Sequence, residues 1–565
     1  MPKSLESTNT LSRRNALLLG ATASLSATGA PFAFASDSRK AGAHQEPGNC
    51  STPRSAITKT QYGKVRGFLA DGVLTFKGVP YAQTTAGENR WLPAKPPASW
   101  TDEYPALAYG ANCPQTLHPW TSIEQTFLFD WDDGWQSEDM LKLNIWTASL
   151  SGKRPVMLYL HGGGYSFGSS YELASQDGAQ MARHHDVVQV SVNHRLNTLG
   201  FLDVSEIGGS AYEDSGNVGM TDLVAALRWV RDNIENFGGD PNRVMIYGQS
   251  GGGSKVTTLM GMPSAAGLFH RTSAQSGGGG NIPTREQQKE LARLVMKDLG
   301  LASNDIQSLQ KIEWPKLFAA GNAAAAKINA GGASMGPSAP GTPHVGWSPC
   351  VDGKVINMRS FFDTAPEVSK HVPMLMGSVS EEGNQMSSRP TEYEWHAKLA
   401  KMYGEEKATA IVAALKTAYP DRKTQTLSYI CSGRPGLNGL SMRNNVVKMA
   451  KLKHELQAAP AYVYYFTWQT SMLDGVPGAW HTAELQFCFD NTKRCEQGTG
   501  NTPEAQRLAT KMASSWAAFA ASGKPSIPGI PWEATDPETN KTMLWDNDCR
   551  MVSDPEGEAR KIILS

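Results

Sequence analysis

The feature that most limits what this chain can fold into is Gly248-Gln249-Ser250-Gly251-Gly252. It follows an apolar run, Val244-Met245-Ile246-Tyr247, and leads into Gly253-Ser254-Lys255-Val256-Thr257, which reads as a helix start. A strand that becomes a helix within a residue or two leaves no room for bulk beside the turn, so small residues must flank the serine. Such a turn strains the serine backbone and lifts its hydroxyl clear of the sheet edge. The free N–H groups and positive end of the following helix then face any oxyanion that forms above it. A purely structural glycine turn could share these residues, but the strand–turn–helix setting points to Ser250 as a nucleophile.

A second element agrees with the first. His161-Gly162-Gly163-Gly164 directly follows another apolar run, Val156 to Leu160. Consecutive glycines let a backbone approach a substrate carbonyl and direct N–H groups at it. The N–H groups of Gly163, Gly164 and Gly251 would together make a three-donor oxyanion hole.

The rest of the chain supplies the scaffold such a turn requires. Val187 to Val192, Val372 to Met376 and Tyr462 to Phe466 are further short apolar runs. Between Asp222 and Phe237, residues Leu223, Leu227, Val230, Ile234 and Phe237 recur at helical spacing. Strands apolar on both faces and separated by helices imply an α/β chain with a mostly parallel sheet covered on both sides. Residues 57–565 read as one large domain without internal repeats. Residues 318–346 are rich in Ala, Gly, Ser and Pro: the alanine run around Ala323 extends a helix, and a loop follows. The 53 basic residues balance 53 acidic ones. No long basic run is present, so nucleic acid is not an expected partner.

The N-terminus reads as an address. Ser12-Arg13-Arg14 precedes a mildly apolar stretch, Ala16 to Ala30, and Ala33-Phe34-Ala35 fits a cleavage site. The arginine pair resembles a twin-arginine export signal over residues 1–35. The apolar stretch is too short and too polar for a stable membrane anchor. The mature chain is therefore expected to be exported, periplasmic or secreted, with residues 36–56 a loosely ordered leader. Seven cysteines form an odd set without metal-like spacing, and an exported protein can form disulfides. His184 and His185 are adjacent and cannot share one helix face, so they read as surface residues. No metal or cofactor is expected.

At this point the chain resembles the type-B carboxylesterases. Phe237-Gly238-Gly239-Asp240-Pro241-Asn242-Arg243-Val244, running into the serine motif, is similar to that family's signature. So are Phe76 to Ala82, Arg90-Trp91, Ser137 to Trp146, the segment from Gly216, Ala274 to Gly277 and the SSWAAFAASGKP segment near the C-terminus. The resemblance implies an α/β-hydrolase fold and a small-molecule ester substrate. In Ser380-Glu381-Glu382-Gly383 it implies Glu382 as the triad acid, with Glu381 the alternative. In Gly478-Ala479-Trp480-His481-Thr482-Ala483-Glu484 it implies His481 as the base. Ser276 matches a family serine that hydrogen-bonds near the acid and the histidine, though a structural role fits it equally. Arg90 and Glu138 match a buried structural ion pair.

Departures carry information too. Gln249 stands where many relatives have Glu, which disfavours a choline ester. Met140 stands where relatives often have a cysteine paired to the one matching Cys113, so Cys113 needs another partner or stays free. Cys488 and Cys495 are spaced to close a small disulfide loop beside His481. Trp120, Trp131 and Trp135 either line a gorge or simply pack, and Asp132 and Asp133 beside them read as a solvated turn rather than as a device that selects against anionic substrates. The same triad could serve an amidase or a carbamate hydrolase. Non-catalytic adhesion relatives commonly lack the nucleophile, which is present here.

Overall fold

Strand segments whose residues are apolar at every position have nowhere to go but between two layers. The computed structural model, which describes residues 50–116, 122–329, 345–383, 389–431 and 439–565, places them there. Among the described residues, twelve strands form one sheet. Its central strands, in spatial order, are Lys142–Thr147, Val188–Val192, Arg154–Leu160, Gly239–Gln249, Arg271–Gln275, Met374–Val379, Ala461–Phe466 and Lys541–Trp545. From Val188–Val192 through Lys541–Trp545 every neighbour is parallel; the flanking pairings are antiparallel.

The period-2 alternation sorts each strand between two cores. Val156, Leu158, Leu160, Val244 and Ile246 face the layer containing the Val218–Asn233 helix. Met157, Tyr159, Met245 and Tyr247 face the layer containing the Pro503–Ser522 helix. The apolar runs locate five of these strands to within a few residues; Lys142–Thr147, Arg271–Gln275 and Lys541–Trp545, whose sequences mix polar with apolar residues, are not marked by such runs. The pattern also missed the length of Gly239–Gln249, whose first half is irregular and shifts register before Val244.

Three expectations need correction. Residues 50–56 are not a loose leader: Cys50–Ser51 pairs antiparallel with Phe68–Ala70, and Arg54–Ala56 forms a helical turn that buries Ala56. His185 is not a surface residue. Its ring is only 4% exposed and lies 3.2 Å from Asp490, because the helix Ala179–His184 ends against the 490 loop. All seven cysteines are free, so the Cys488–Cys495 loop does not close. The Cys488 thiol is turned into the core, where it accepts from Gln275 Nε2 at 3.4 Å. Cys113 is buried and accepts from the Leu196 N–H at 3.3 Å. Residues 1–35, residues 36–49 of the leader, Trp120 and most of the loop expected after residue 328 lie outside the described residues. Trp131 stacks on Phe129, while Trp135 is 57% exposed. Asp132 accepts from the Gly134 N–H, as a turn residue does.

Arg90 and Glu138 form a two-bond pair, with Nε donating to Oε2 at 2.7 Å and Nη2 donating to Oε1. The third guanidinium nitrogen donates to Gln310 O and Ile312 O at 2.9 and 2.6 Å. The side chains are 9% and 14% exposed, so neutralising the carboxylate strands a nearly buried cation. Glu138→Gln is therefore expected to cost about 3 kcal/mol, the low end for a buried pair because some solvent screening remains. Urea denaturation measures this, and a change under ~0.5 kcal/mol would place the pair among ordinary surface contacts.

Candidate active site

Ser250 stands between the Gly239–Gln249 strand and the Gly251–Met260 helix with φ 59° and ψ −123°. An L-residue pays roughly 1–3 kcal/mol for such a backbone. The surroundings enforce it. Ser250 N donates to Gln275 O at 2.8 Å and Ser250 O accepts from Ser254 N at 3.1 Å. A Cβ at Gly248 would lie 2.6 Å from Leu160 O, and one at Gly252 would collide with the same oxygen. The small residues of the motif are thus required by the crossing of strand, turn and helix.

The glycine loop lies directly against this turn. A Cβ at Gly251 would collide with the backbone of Gly164, and one at Gly162 would lie 3.6 Å from Ser250 Cβ. Gly163 and Gly164 have φ of 76° and 61°, a left-handed pair that side chains would strain. Gly163 O is closed into a turn by Ser166 N and Phe167 N at 3.1 and 3.3 Å. The loop and the helix N-terminus therefore bring Gly163, Gly164 and Gly251 to one place.

Glu382 and His481 come from the next strands along. Met374–Val379 ends just before Glu382, and the loop after Ala461–Phe466 carries His481. Every element of the site leaves the carboxyl end of a parallel strand, where open α/β sheets place their ligands. The Glu382 side chain is 2% exposed, accepts from Val379 N at 3.1 Å through Oε1, and hydrogen-bonds His481 Nδ1 through Oε2. The His481 side chain is 36% exposed, so its ring remains within reach of a bound molecule.

Two carboxylates beside it set the charge balance. Burial alone would push His481 down, but the Glu382 carboxylate, by charge and hydrogen bond, and Glu484 behind it hold the imidazole above its usual range. Glu484, fully buried, is pushed up to about 8 by burial and by the Glu382 charge. Its Oε1 accepts from Ser276 Oγ at 3.5 Å. Glu484 lies within the histidine motif, but nothing in the sequence around it marks it for a task. On the reading proposed below, His481 acts as a base and must be neutral, so activity falls as pH drops through its pKa. The acid limb of kcat/KM is expected to have its midpoint above 6.5, and Glu382→Gln to move that midpoint down. A limb below 6.5 in the unaltered protein would contradict the pairing.

The structure also departs from expectation here. Among the described residues no hydrogen bond joins Ser250 Oγ to His481. The imidazole stands instead against Gln249, whose Nε2 lies 3.4 Å from Nδ1 and 3.3 Å from Nε2. Contacts of this kind often tighten only around a bound substrate. Glu381 faces the other way. It is fully buried, pairs with Arg422 Nη1 at 2.6 Å and accepts from Ala479 N at 2.8 Å. Glu381 N also donates to Ala479 O at 3.2 Å. The acid loop and the histidine loop are thus sewn together through Glu381, an arrangement with no local sequence signal.

A parallel sheet carrying a strained serine turn at the carboxyl end of a central strand defines the α/β-hydrolase class. Residues 54–561 match the model of the Carboxylesterase family. The para-nitrobenzyl esterase of Bacillus subtilis (strain 168) is 30% identical over 514 residues, spanning 89% of this chain and 98% of that protein. The phenmedipham hydrolase of Pseudarthrobacter oxydans is 30% identical, over 85% of this chain and 94% of its own. Among solved structures, an esterase from Clostridium hathewayi superposes with a TM-score of 0.77 at 30% identity, covering 91% of this chain and 99% of its own. The chain belongs to the carboxylesterase family, and it is an enzyme of that family.

Proposed function

We propose that this enzyme hydrolyses carboxylic esters of small molecules through an acyl-enzyme, with Ser250 as nucleophile, His481 as base and Glu382 as the acid that orients the histidine. The observation that carries this reading is the meeting of three things at one sheet edge: the strained Ser250 turn, the Gly163–Gly164 loop packed on Gly251, and the Glu382-bound imidazole. His481 takes the Ser250 proton as the oxygen attacks the ester carbonyl, while Glu382 holds the tautomer and balances the imidazolium. The N–H groups of Gly163, Gly164 and Gly251 receive the oxyanion, each donor contributing on the order of 10²–10³ in turnover. His481 protonates the departing alcohol. Water then attacks the acyl carbon as His481 takes its proton, and the collapse breaks the Ser250 Oγ–carbon bond, with His481 returning the proton to Oγ as the acid leaves. Gln249 puts a neutral amide beside the site, so choline esters gain no advantage over neutral alkyl esters.

The test is a panel of aryl, alkyl and choline esters with matched amides and carbamates. Faster turnover of the amides or carbamates would replace the ester reading with the alternative one. We also propose that residues 1–35 direct export as a twin-arginine signal and that cleavage follows Ala35. Changing Arg13 and Arg14 to Lys should leave uncleaved protein inside the cell, and mature protein starting elsewhere than Ser36 would refute the cleavage site.

A further inference from the structure

The helix that starts at the nucleophile carries a residue the reaction outlined above does not use. Lys255 is fully buried in the Gly251–Met260 helix. Its Nζ donates to His161 O at 2.8 Å and to Gly162 O at 3.3 Å. Among the described residues no carboxylate forms an ion pair with it. Burial pulls its pKa down to about 7, and the charge of Glu172 opposes that. The rings of His161 and His194, 5.1 Å apart, face the same interior and are held well below the usual range, first by burial and then by the Lys255 charge. The Tyr165 ring centre lies 5.8 Å from Nζ. An amine buried without an acidic partner is costly, and an apolar side chain of similar length would avoid that cost.

Peptide geometry says what the amine accomplishes. In a trans peptide the C=O and the N–H point in opposite directions. The Gly162 carbonyl and the Gly163 N–H belong to one such unit. An amine donating to the Gly162 oxygen fixes the plane and polarises the N–H on its far side. His161 Nδ1, 3.1 Å from the same oxygen, adds a second contact. The next unit joins the Gly163 carbonyl to the Gly164 N–H, and its oxygen is already held by Ser166 N and Phe167 N. Both loop donors therefore have their carbonyls secured from behind, one by a backbone turn and one by a buried side chain.

We propose that Lys255 is a positioning residue for the oxyanion hole, which by bonding the His161 and Gly162 carbonyls aims and strengthens the Gly163 N–H toward the oxyanion formed at Ser250. The inference rests on the ester-hydrolysis reading above. Its test compares Lys255→Met and Lys255→Gln with the unaltered enzyme and with Ser250→Ala, using p-nitrophenyl acetate and a trifluoromethyl ketone. In the ketone adduct Ser250 Oγ bonds to the carbonyl carbon, the carbonyl electron pair moves onto oxygen, and the serine proton passes to His481.

Lys255→Met should fold with an equal or higher Tm, because it removes a buried amine. Its kcat should fall about 10- to 100-fold, less than for outright loss of a donor, with KM changed by no more than about 3-fold. The ketone Ki should rise by the same factor as kcat falls, because only the adduct carries the oxyanion. Lys255→Gln, which keeps an N–H donor on a shorter arm, should fall between. A folded Lys255→Met with normal kcat overturns the proposal, as does a kcat loss without a matching rise in Ki. If Lys255→Met does not fold, Lys255→Gln is judged by the same pairing of kcat and Ki. Normal turnover by Ser250→Ala would instead overturn the ester reading itself, whatever Lys255 does.

Discussion

Ser250→Ala is expected to lower turnover of an activated aryl ester by about 10⁵ or more while leaving the fold intact. On the proposed mechanism no acyl-enzyme forms without the hydroxyl, and only the oxyanion donors and substrate binding remain to favour attack by water. In a well-studied hydrolase, loss of the nucleophile costs on the order of 10⁶ and leaves a residue of 10³–10⁴ over water. The fold is safe because the turn is held by backbone contacts. Ser250 N bonds Gln275 O, and Ser250 O bonds Ser254 N. No side-chain hydrogen bond to His481 is lost, since none is made in this state. Ser250→Gly sharpens the test. Glycine adopts positive φ without strain, so that variant should be equally inactive yet more stable than Ser250→Ala, by about 1 kcal/mol before the entropy of a freer unfolded chain offsets part of it. A fluorophosphonate should label the unaltered enzyme once, on Ser250. Label on another residue, or near-normal turnover by Ser250→Ala, would move the chemistry elsewhere.

How far the sequence could be read follows from where each instruction is written. Five of the central strands and the Val218–Asn233 helix are encoded locally, as largely apolar runs and as a helical repeat, so they could be found one at a time; Arg271–Gln275, which reads RTSAQ, could not. The Ser250 turn and the Gly163–Gly164 loop are also local, because close backbone approach admits only small residues at fixed positions. The partners of Glu381 are not local. Arg422 and Ala479 lie 41 and 98 residues away, and nothing in either neighbourhood announces the contact. Lys255 is a similar case. At the start of a helix a lysine reads as solvent-facing, and only the packing of the helix beneath the His161 loop turns it inward. The free Cys488 shows the opposite failure. Its spacing to Cys495 allowed a bridge, but the thiol's orientation toward Gln275 is a property of the core.

The same distinction decides what Glu382→Gln and Glu381→Gln will do. The sequence places two identical carboxylates side by side, and a strand end turns neighbouring side chains to opposite faces. Treated from sequence alone, Glu381→Gln should be mild. The structure changes the kind of effect expected. Glu382 meets His481, so its amide variant can no longer stabilise the imidazolium and favours the wrong tautomer, which costs around 10⁴ in turnover in the best-studied protease. Its effect should fall on kcat, with KM little altered, and the acid limb of the pH profile should move down. Glu381 is fully buried on Arg422 and holds the histidine loop through Ala479. Its amide variant strands a buried guanidinium, an error that typically costs about 3–5 kcal/mol of stability. That loss should appear as a lower Tm and a smaller urea midpoint, while kcat per folded molecule stays within about tenfold of normal, since one loop tie of several is loosened rather than a reacting group removed. Kinetics and melting of the two variants on one ester separate the roles. A large kcat loss with an unchanged Tm in Glu381→Gln, and the reverse in Glu382→Gln, would exchange them.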